Sequence, residues 1–219
     1  TRTIWAATDG GGIWKTSNCC DANTTWAIKT DIPEIRSSAI GDLTIDPSNP
    51  DVLYAGTGDL RFGSFSFGAN GVLKSTDAGE TWAVKGADVF NPFYPPSANG
   101  FPQYQSIGKV AVDPNDSNKV LAGTKTGLFI SYDAGDNWTG PCLANGFTSQ
   151  RQDTTGLILR DVGTSTEVIV AIGTRGFETP VQPNLNQNGA NGLYKASLPA
   201  SGCPTDFAAI SRADNGWPV

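Results

Sequence analysis

The sequence contains no histidine and no methionine among its 219 residues. Without histidine, this chain cannot supply a Ser-His-Asp or Cys-His catalytic arrangement, nor a histidine-ligated metal site. Without methionine it has no initiator residue, so we expect a processed product or an excised piece of a longer protein. A signal peptide is not recognisable either. These absences narrow the function classes more than any residue that is present.

Basic residues and long apolar runs are also scarce. The chain has 15 Lys and Arg against 21 Asp and Glu, which gives a net charge of −6 and a pI near 4.5. Phosphate binding needs clustered basic residues, so the composition argues against nucleic acid as a partner. No run of about 18 apolar residues exists, so we predict no membrane span. We also expect no metal and no cofactor.

The four cysteines are too few and wrongly spaced for a structural zinc site. An even number together with low charge fits a secreted or cell-surface protein with disulfides. Four cysteines allow three pairings, of which we favour one that includes Cys142–Cys203. Cys19 and Cys20 are adjacent, and a bridge between them would be strained and uncommon.

The strongest pattern is a repeated stretch, STDAGETW at 75–82, which returns as SYDAGDNW at 131–138. Trp26, Trp82 and Trp138 are spaced by 56 residues each (82 − 26 and 138 − 82). A landmark that returns at a fixed spacing indicates a repeat architecture.

Short alternating segments between the repeats predict β-strands, and 26 Gly and 14 Pro suit the turns between them. The strands group into four-stranded antiparallel units at about 40–86, 107–142 and 155–212, after a partial unit at about 1–30. Such units must stack to cover their faces, and four-stranded units arranged radially are the blades of a β-propeller.

We therefore predict an all-β fold in which residues 1–219 form one β-propeller domain or fragment. Nearly four blades are present, and we favour a part of a larger propeller over a closed ring of four blades. A β-sandwich is the alternative, but sandwiches do not repeat Trp and Asp-Gly turns at constant spacing.

The repeated turn has a structural explanation. Asp77 can accept hydrogen bonds from the N–H groups that follow it, and Gly79 supplies the positive φ of a tight turn. Trp82 would pack between adjacent blades. A catalytic or calcium-binding role is the alternative, but turns repeated in each blade cannot converge on one site. The predicted structural residues are Ser75, Asp77, Gly79, Trp82, Ser131, Asp133, Gly135 and Trp138.

The motif SxDxGxTW, preceded by an AGT strand and a DPxNP turn, resembles the Asp-box, or bacterial neuraminidase repeat, family of propellers. That family includes sialidases, sortilin-type receptors, xyloglucanases and secreted bacterial propellers, so the resemblance implies the fold and not one function. The segment WAATDGGGIWK at 5–15 resembles an early blade of xyloglucanases, and Asp9 and Asp59 lie in similar loops. Arg36 lies in EIRSS, without the Arg-Ile-Pro segment that sialidases share.

The long connections should all lie at one end of the blades, which we call the loop face. The connections between second and third strands, and those between blades, lie there, whereas the Asp-box and DPxNP turns lie at the opposite end, the turn face. Long loops on a rigid scaffold usually carry function. These loops hold aromatic residues suited to stacking on sugars or anchoring a partner: Phe62, Phe65, Phe67, Phe90, Phe93, Tyr94, Phe101, Tyr104 and Phe177. Packing of the loops against each other is the alternative.

Carboxylates at the loop face are the candidates for glycoside hydrolysis, which needs two of them about 5 to 10 Å apart. Asp59, Asp88, Asp153 and Glu178 are available. Asp59 and Glu178 form the candidate catalytic pair.

These observations favour a secreted or cell-surface binding or structural module that recognises a carbohydrate or a protein through the loop face. A glycoside hydrolase of xyloglucanase-like or sialidase-like type is the first alternative. A self-assembling structural module is the second, with other blades, other domains or copies of the chain as partners.

Overall fold

The computed structural model describes residues 2–60, 68–90, 105–142, 153–173 and 192–211, together with Asp214 and Gly216. Over these residues, fifteen strands form four antiparallel sheets, one of three strands and three of four. Each sheet is a meander in which sequential strands are neighbours. Successive sheets pack face to face through buried apolar clusters. The chain is a partial β-propeller, as predicted.

The sheets are the blades, numbered in chain order. The first blade contains β1 (Ile4–Thr8), β2 (Gly12–Thr16) and β3 (Ala27–Ile28). The second contains β4 (Ile40–Asp46), β5 (Asn49–Thr57), β6 (Val72–Ser75) and β7 (Ala83–Lys85), followed by the short helix α1 (Ala87–Phe90). The third contains β8 (Ile107–Asp113), β9 (Asp116–Thr124), β10 (Gly127–Ser131) and β11 (Thr139–Cys142). The fourth contains β12 (Asp153–Asp161), β13 (Thr166–Gly173), β14 (Gly192–Ser197) and β15 (Ala208–Ala209).

The outermost strands of the first and fourth blades are short. Strands β3 and β15 have two residues each. An outermost strand pairs on one side only, so ladder bonds end where the chain turns away. The second strands are longer instead, because the Asp46 carboxylate accepts the Ser48 N–H at 2.8 Å and closes a tight turn from which pairing starts at once.

Each interface between successive blades is a buried apolar layer. Ile13, Leu53, Leu73 and Trp82 form the layer between the first and second blades. Tyr54, Val72, Ile107 and Phe129 form the next one, and Leu121, Ile130, Val168 and Val170 form the third. These layers fix the blades relative to one another and so position the ends of their inner strands.

One aromatic residue assigned to the loops belongs to a core. Phe90 ends α1, is fully buried and packs edge-on against Phe129 and Trp138, with ring centroids 5.1 Å away in both contacts. Phe90 is therefore not available to stack on a ligand at the loop face. The short helix turns its side chain into the layer between the second and third blades, where an aromatic ring gains more from burial than from exposure.

A disulfide joins the third and fourth blades. Cys142, at the end of β11, is bonded to Cys203, which lies between β14 and β15, and their Cα atoms are 5.3 Å apart. The favoured Cys142–Cys203 pairing is therefore present. The adjacent Cys19 and Cys20 are also paired, which the sequence-based expectation had regarded as uncommon.

Candidate functional site

A pocket of about 360 Å³ lies at the loop face, where the inner strands of three blades begin. Gly41 in β4, Gly108 in β8 and Thr155 in β12 contribute one strand each to its wall. Its remaining lining residues are Asp59 and Leu60, which follow β5, together with Lys109 and Asp153. The volume is within the range of small-ligand sites, so the pocket can hold part of a sugar chain.

Two buried carboxylates line this pocket. Asp59 is 4% exposed and Asp153 is 1% exposed, whereas nearby Lys109 is partly exposed. Lys109 Nζ lies 3.4 Å from a carboxylate oxygen of Asp42, whose other oxygen accepts the Val110 N–H at 2.9 Å. Buried carboxylates are stable only where hydrogen bonds or charges compensate for lost water, so this end of the pocket is a strongly polar environment.

The chemistry available to the pocket is that of hydroxyl recognition. Carboxylates accept hydrogen bonds from sugar hydroxyls, and an ammonium group donates to ring and hydroxyl oxygens. Leu60 adds an apolar side chain, which suits the C–H faces of a pyranose ring. Gly108 leaves room for it, because a Cβ there would lie 2.7 Å from a Leu60 methyl group. The pocket therefore combines acceptors, a donor and an apolar wall.

The other predicted site residues fall in different places. Asp9 is exposed and forms an isolated β-bridge with Ala39. Asp88 lies within α1 and is also exposed. The partner proposed for Asp59, Glu178, lies outside the described residues. So do all the aromatic residues predicted to bind a ligand: Phe62, Phe65, Phe67, Phe93, Tyr94, Tyr104 and Phe177. Phe101 also lies outside them.

The Asp-box turns are closed by their own carboxylates. Asp77 Oδ1 accepts from the Ser75 hydroxyl at 2.8 Å and from the Glu80 and Thr81 N–H groups at 3.0 and 2.9 Å. The Thr81 hydroxyl, and after it the Thr81 N–H, lower the pKa of Asp77 to about 2. Gly79 has φ of 78°, as a turn of this kind requires. Asp77 thus serves its own turn at the turn face.

The turn of the third blade has the same construction. Asp133 accepts from the Ser131 hydroxyl at 2.8 Å and from the Asn137 N–H at 2.8 Å, and Gly135 has φ of 95°. Trp138 donates to the Gly135 carbonyl at 3.0 Å, and Trp82 is buried between the first two blades. Both carboxylates bind groups of their own turns, which leaves the pocket as the candidate site.

A third turn of this kind was missed in the sequence. Asn18 Oδ1 accepts from the Thr16 hydroxyl at 3.0 Å and from the Thr25 N–H at 2.9 Å, as Asp77 does from Ser75 and Thr81. Six residues, 19–24, separate Asn18 from Thr25, whereas three separate Asp77 from Thr81, and an amide replaces the carboxylate. The constant spacing to Trp26 was the signal that could have revealed it.

Among the described residues, no group of three or more His, Cys, Asp or Glu could hold a metal ion. Within the same residues, no helix is long and apolar enough to cross a membrane.

Comparisons with known proteins connect the chain to carbohydrate-acting enzymes. No family model matches it. It is 30% identical over 142 residues to a xyloglucanase from a Paenibacillus species, a match that covers 62% of this chain and 13% of that protein. It is 29% identical over 143 residues to the xyloglucanase Xgh74A of Acetivibrio thermocellus, covering 62% of this chain and 16% of that protein. The chain thus spans a small part of these relatives.

Solved structures give the same fold over nearly the whole chain. A GH74 enzyme from Niastella koreensis superposes with a TM-score of 0.57 at 21% identity, covering 96% of this chain and 28% of that one. A GH74 xyloglucanase from Xanthomonas campestris gives 0.56 at 20% identity, covering 99% and 29%. The fold is that of a partial propeller. These likenesses establish the architecture of the chain.

Proposed function

We propose that this chain forms a carbohydrate-binding part of a glycoside hydrolase that acts on a xyloglucan-type β-glucan. The observation that carries the proposal is the pocket at the loop face, lined by the buried carboxylates of Asp59 and Asp153. The similarity to xyloglucanases supports it. The relatives are enzymes, so they give less support to the sequence-based prediction of a binding or structural module without catalysis.

The pocket suits a glucan chain better than a compact charged ligand. Its carboxylates would repel phosphate or another anionic group, whereas a neutral sugar offers hydroxyl donors to both. Leu60 adds an apolar side chain to the wall beside these carboxylates. A pyranose ring presents this combination of C–H faces and equatorial hydroxyls, so a neutral glucan is the substrate class that fits.

Within this proposal, the carboxylates are the candidates for catalysis. Hydrolysis of a glycosidic bond uses one carboxylic acid to protonate the leaving oxygen and a second carboxylate as base or nucleophile. Asp59 is the primary candidate, with Asp153 or Glu178 as its partner. The loop aromatics Phe62, Phe65, Phe67, Phe93, Tyr94, Tyr104 and Phe177 remain the candidates for stacking on glucose units.

An extracellular location is part of the proposal. A polysaccharide such as xyloglucan is met outside the cell, and disulfides form and persist in oxidising compartments. The Cys142–Cys203 bridge supports such a location. The rest of a larger chain would supply further blades or domains, since the xyloglucanase relatives extend far beyond the matched segment.

The test is binding to xyloglucan, measured by retardation in gels that contain the polysaccharide and by calorimetry with a xyloglucan oligosaccharide. Asp59→Asn and Asp153→Asn should each weaken binding about tenfold, because each loses a charged acceptor. Asp51→Asn is the matched control. It makes the same charge change at the exposed start of β5, at the turn face, and should leave binding unchanged.

Measuring the reducing ends released from xyloglucan distinguishes a catalytic region from one that only binds the polysaccharide. Hydrolysis that is abolished by Asp59→Asn supports a catalytic role for that residue, whereas binding without hydrolysis supports a binding region alone. Absence of retardation by xyloglucan, in protein whose circular dichroism shows folded β-structure, would overturn the proposal. Equal weakening by Asp51→Asn would do the same.

A further inference from the structure

The first strands of the second, third and fourth blades each contain one extra residue at the level of the pocket. In β4, Gly41 has no partner in the ladder, because the residues on either side of it pair with adjacent residues of β5. Gly108 is the extra residue of β8, and Thr155 is that of β12. An extra residue of this kind is a β-bulge, which bends the strand and changes the direction of the side chains beside it.

All three bulge residues line the pocket. A Cβ at Gly41 would meet the carbonyl oxygen of Ile107, and one at Gly108 would lie 2.7 Å from a Leu60 methyl group. Two bulges therefore bring the backbone itself to the pocket wall, whereas the third places the hydroxyl of Thr155 there. The bulges thus form the wall and also determine where the side chains that follow them are directed.

The residues that follow the bulges differ between the blades. They are Asp42 in the second blade, Lys109 in the third and Gly156 in the fourth, each paired with the residue at the same level of its neighbouring strand. Lys109 lines the pocket. It therefore has a carboxylate at the equivalent position of the preceding blade, and no side chain at that of the following one. Unlike the Asp-box turns, this combination does not repeat.

Asp42 binds the third blade through both of its carboxylate oxygens. One oxygen lies 3.4 Å from Lys109 Nζ, and the other accepts the Val110 N–H at 2.9 Å. Strand β8 is the last strand of its sheet, so the N–H groups on its outer edge need acceptors other than a neighbouring strand. Asp42 thus fixes the edge of β8 and holds the lysine that this edge carries.

The exposure of Lys109 indicates a role beyond stability. Its side chain is 39% exposed, whereas Lys15, which donates to Ala78 O between the first two blades, is 9% exposed. An exposed ion pair contributes little to stability, because water screens both charges. An ammonium group has three N–H donors, so contact with Asp42 is compatible with donation to a ligand in the pocket.

Lys109 complements the carboxylates of the pocket. Asp59 and Asp153 offer acceptors only, whereas Lys109 offers donors only. A sugar hydroxyl can donate one hydrogen bond and accept another, so a sugar unit can satisfy both kinds of group at once. A ligand without an acceptor facing Lys109 would leave the ammonium group with neither water nor a partner on that side. The lysine can therefore select among ligands that the carboxylates alone would not distinguish.

We propose that Lys109 is a ligand-binding residue that donates to a hydroxyl or ether oxygen of the bound sugar, and that Asp42 is the positioning residue that holds it there. The inference rests on the proposed function and deepens it, because it assigns the donor that determines specificity. A site built to bond a particular oxygen rejects an analogue that lacks this oxygen.

The experiment is calorimetry of the complete chain with a xyloglucan oligosaccharide. Lys109→Met removes the ammonium group but keeps an apolar side chain of similar length, and it should weaken binding about tenfold. Asp42→Asn keeps an oxygen that can accept the Val110 N–H but removes the charge next to the lysine. It should weaken binding about threefold. Near-ultraviolet circular dichroism verifies that each variant is folded.

The double variant distinguishes a positioning role of Asp42 from a purely structural one. If Asp42 acts through Lys109, then Asp42→Asn/Lys109→Met should bind the oligosaccharide as weakly as Lys109→Met alone, because the group that Asp42 holds is already absent. If Asp42 only supports the strand through Val110, the two losses should add, to about thirtyfold. An additive result would therefore overturn the role of Asp42.

Lys195→Met is the matched control. Lys195 is 46% exposed and ion-paired with Glu167, which keeps Arg160 as a partner, so the same substitution there should leave binding unchanged. Wild-type affinity in Lys109→Met, alongside weakened binding in Asp59→Asn, would overturn this inference and leave the proposed function intact. A wild type that does not bind the oligosaccharide would overturn both. Equal weakening by Lys195→Met would show a general effect of charge and contradict the inference.

Discussion

The Cys142–Cys203 disulfide should contribute more to the stability of the fourth blade than any single hydrogen bond at its interface. At each of the two earlier interfaces, an aromatic residue and a lysine donate to one turn carbonyl of the next blade: Trp5 and Lys15 to Ala78 O, and Tyr54 and Lys74 to Ala134 O. The equivalent residues at the third interface are Leu121 and Ile130, which have no side-chain donor. Tyr132 Oη donates to Gly202 O at 2.6 Å next to the bridge, which is a single hydrogen bond. The covalent link therefore compensates for the contacts that this interface lacks.

The size of the effect follows from the loop that the bridge closes. The two cysteines are 61 residues apart, and in the chain-entropy relation a loop of that length corresponds to about 4 kcal/mol at 25 °C. Native disulfides in small domains typically contribute about 2–5 kcal/mol. We expect the Cys142→Ala/Cys203→Ala variant to lose about 2–4 kcal/mol of unfolding free energy.

Urea unfolding of the variant and the wild type measures this loss, and hydrogen exchange locates it. Amide protection should fall most in β12 to β14, which depend on the bridge, and least in β4 to β6. The control is Cys19→Ala/Cys20→Ala, because two adjacent residues enclose no loop whose entropy could be reduced. That variant should lose less than about 1 kcal/mol.

Two results would refute this explanation. A loss below about 1 kcal/mol for Cys142→Ala/Cys203→Ala would show that the apolar layer alone holds the fourth blade. An equal loss of protection in all four blades would show that the bridge does not act at the third interface.

Three other substitutions test the blade contacts by urea unfolding. Tyr54→Phe should lower the unfolding free energy by about 1 kcal/mol, because the Ala134 carbonyl loses one of its two donors and keeps only Lys74 Nζ; an unchanged stability would show that this contact between blades is not stabilising. Asp77→Ala should cost about 1–2 kcal/mol near neutral pH. Since the folded-state pKa of Asp77 is lowered to about 2, this difference should be full above pH 4 and shrink as the pH falls through 2; a pH-independent difference would contradict it. Gly56→Ala should cost about 1–3 kcal/mol, because a Cβ would lie 2.6 Å from the Ile107 carbonyl oxygen, and a neutral effect would show that the third blade can shift away.

Local chemistry explains why the fold could be predicted from the sequence. Asp77 and Gly79 form a turn whose hydrogen bonds lie within seven residues. The sequence motif alone therefore identifies this turn wherever it recurs. Trp82 and Trp138 mark the same place in each blade because they fill the same interblade layer. A repeat of this kind specifies each unit and the way in which units stack.

The turn at Asn18 could not be recognised from the sequence motif alone. Its closing bonds join Thr16 and Thr25 across an insertion, so the pattern of residue types is broken while the geometry is kept. The burial of Phe90 could not be predicted for a related reason. A four-residue helix has too few positions to show an apolar period, so its burial depends on tertiary packing that the sequence pattern does not contain.

The pocket depends on distances that no single segment of sequence specifies. Asp59 follows the second strand of one blade, and Asp153 opens the first strand of a blade two units away. Both were recognised as carboxylates of the loop face, but their common pocket depends on three inner strands converging. Gly41 and Gly56 allow that approach, because a Cβ at either position would meet the Ile107 carbonyl oxygen of the neighbouring blade.

A crystal structure of the chain soaked with a xyloglucan oligosaccharide tests the proposed function most directly. We predict density for glucose units in the pocket, with hydroxyl groups within hydrogen-bond distance of the Asp59 and Asp153 carboxylates. An oligosaccharide bound elsewhere on the propeller, with the pocket accessible in the crystal and containing no sugar, would contradict the proposal.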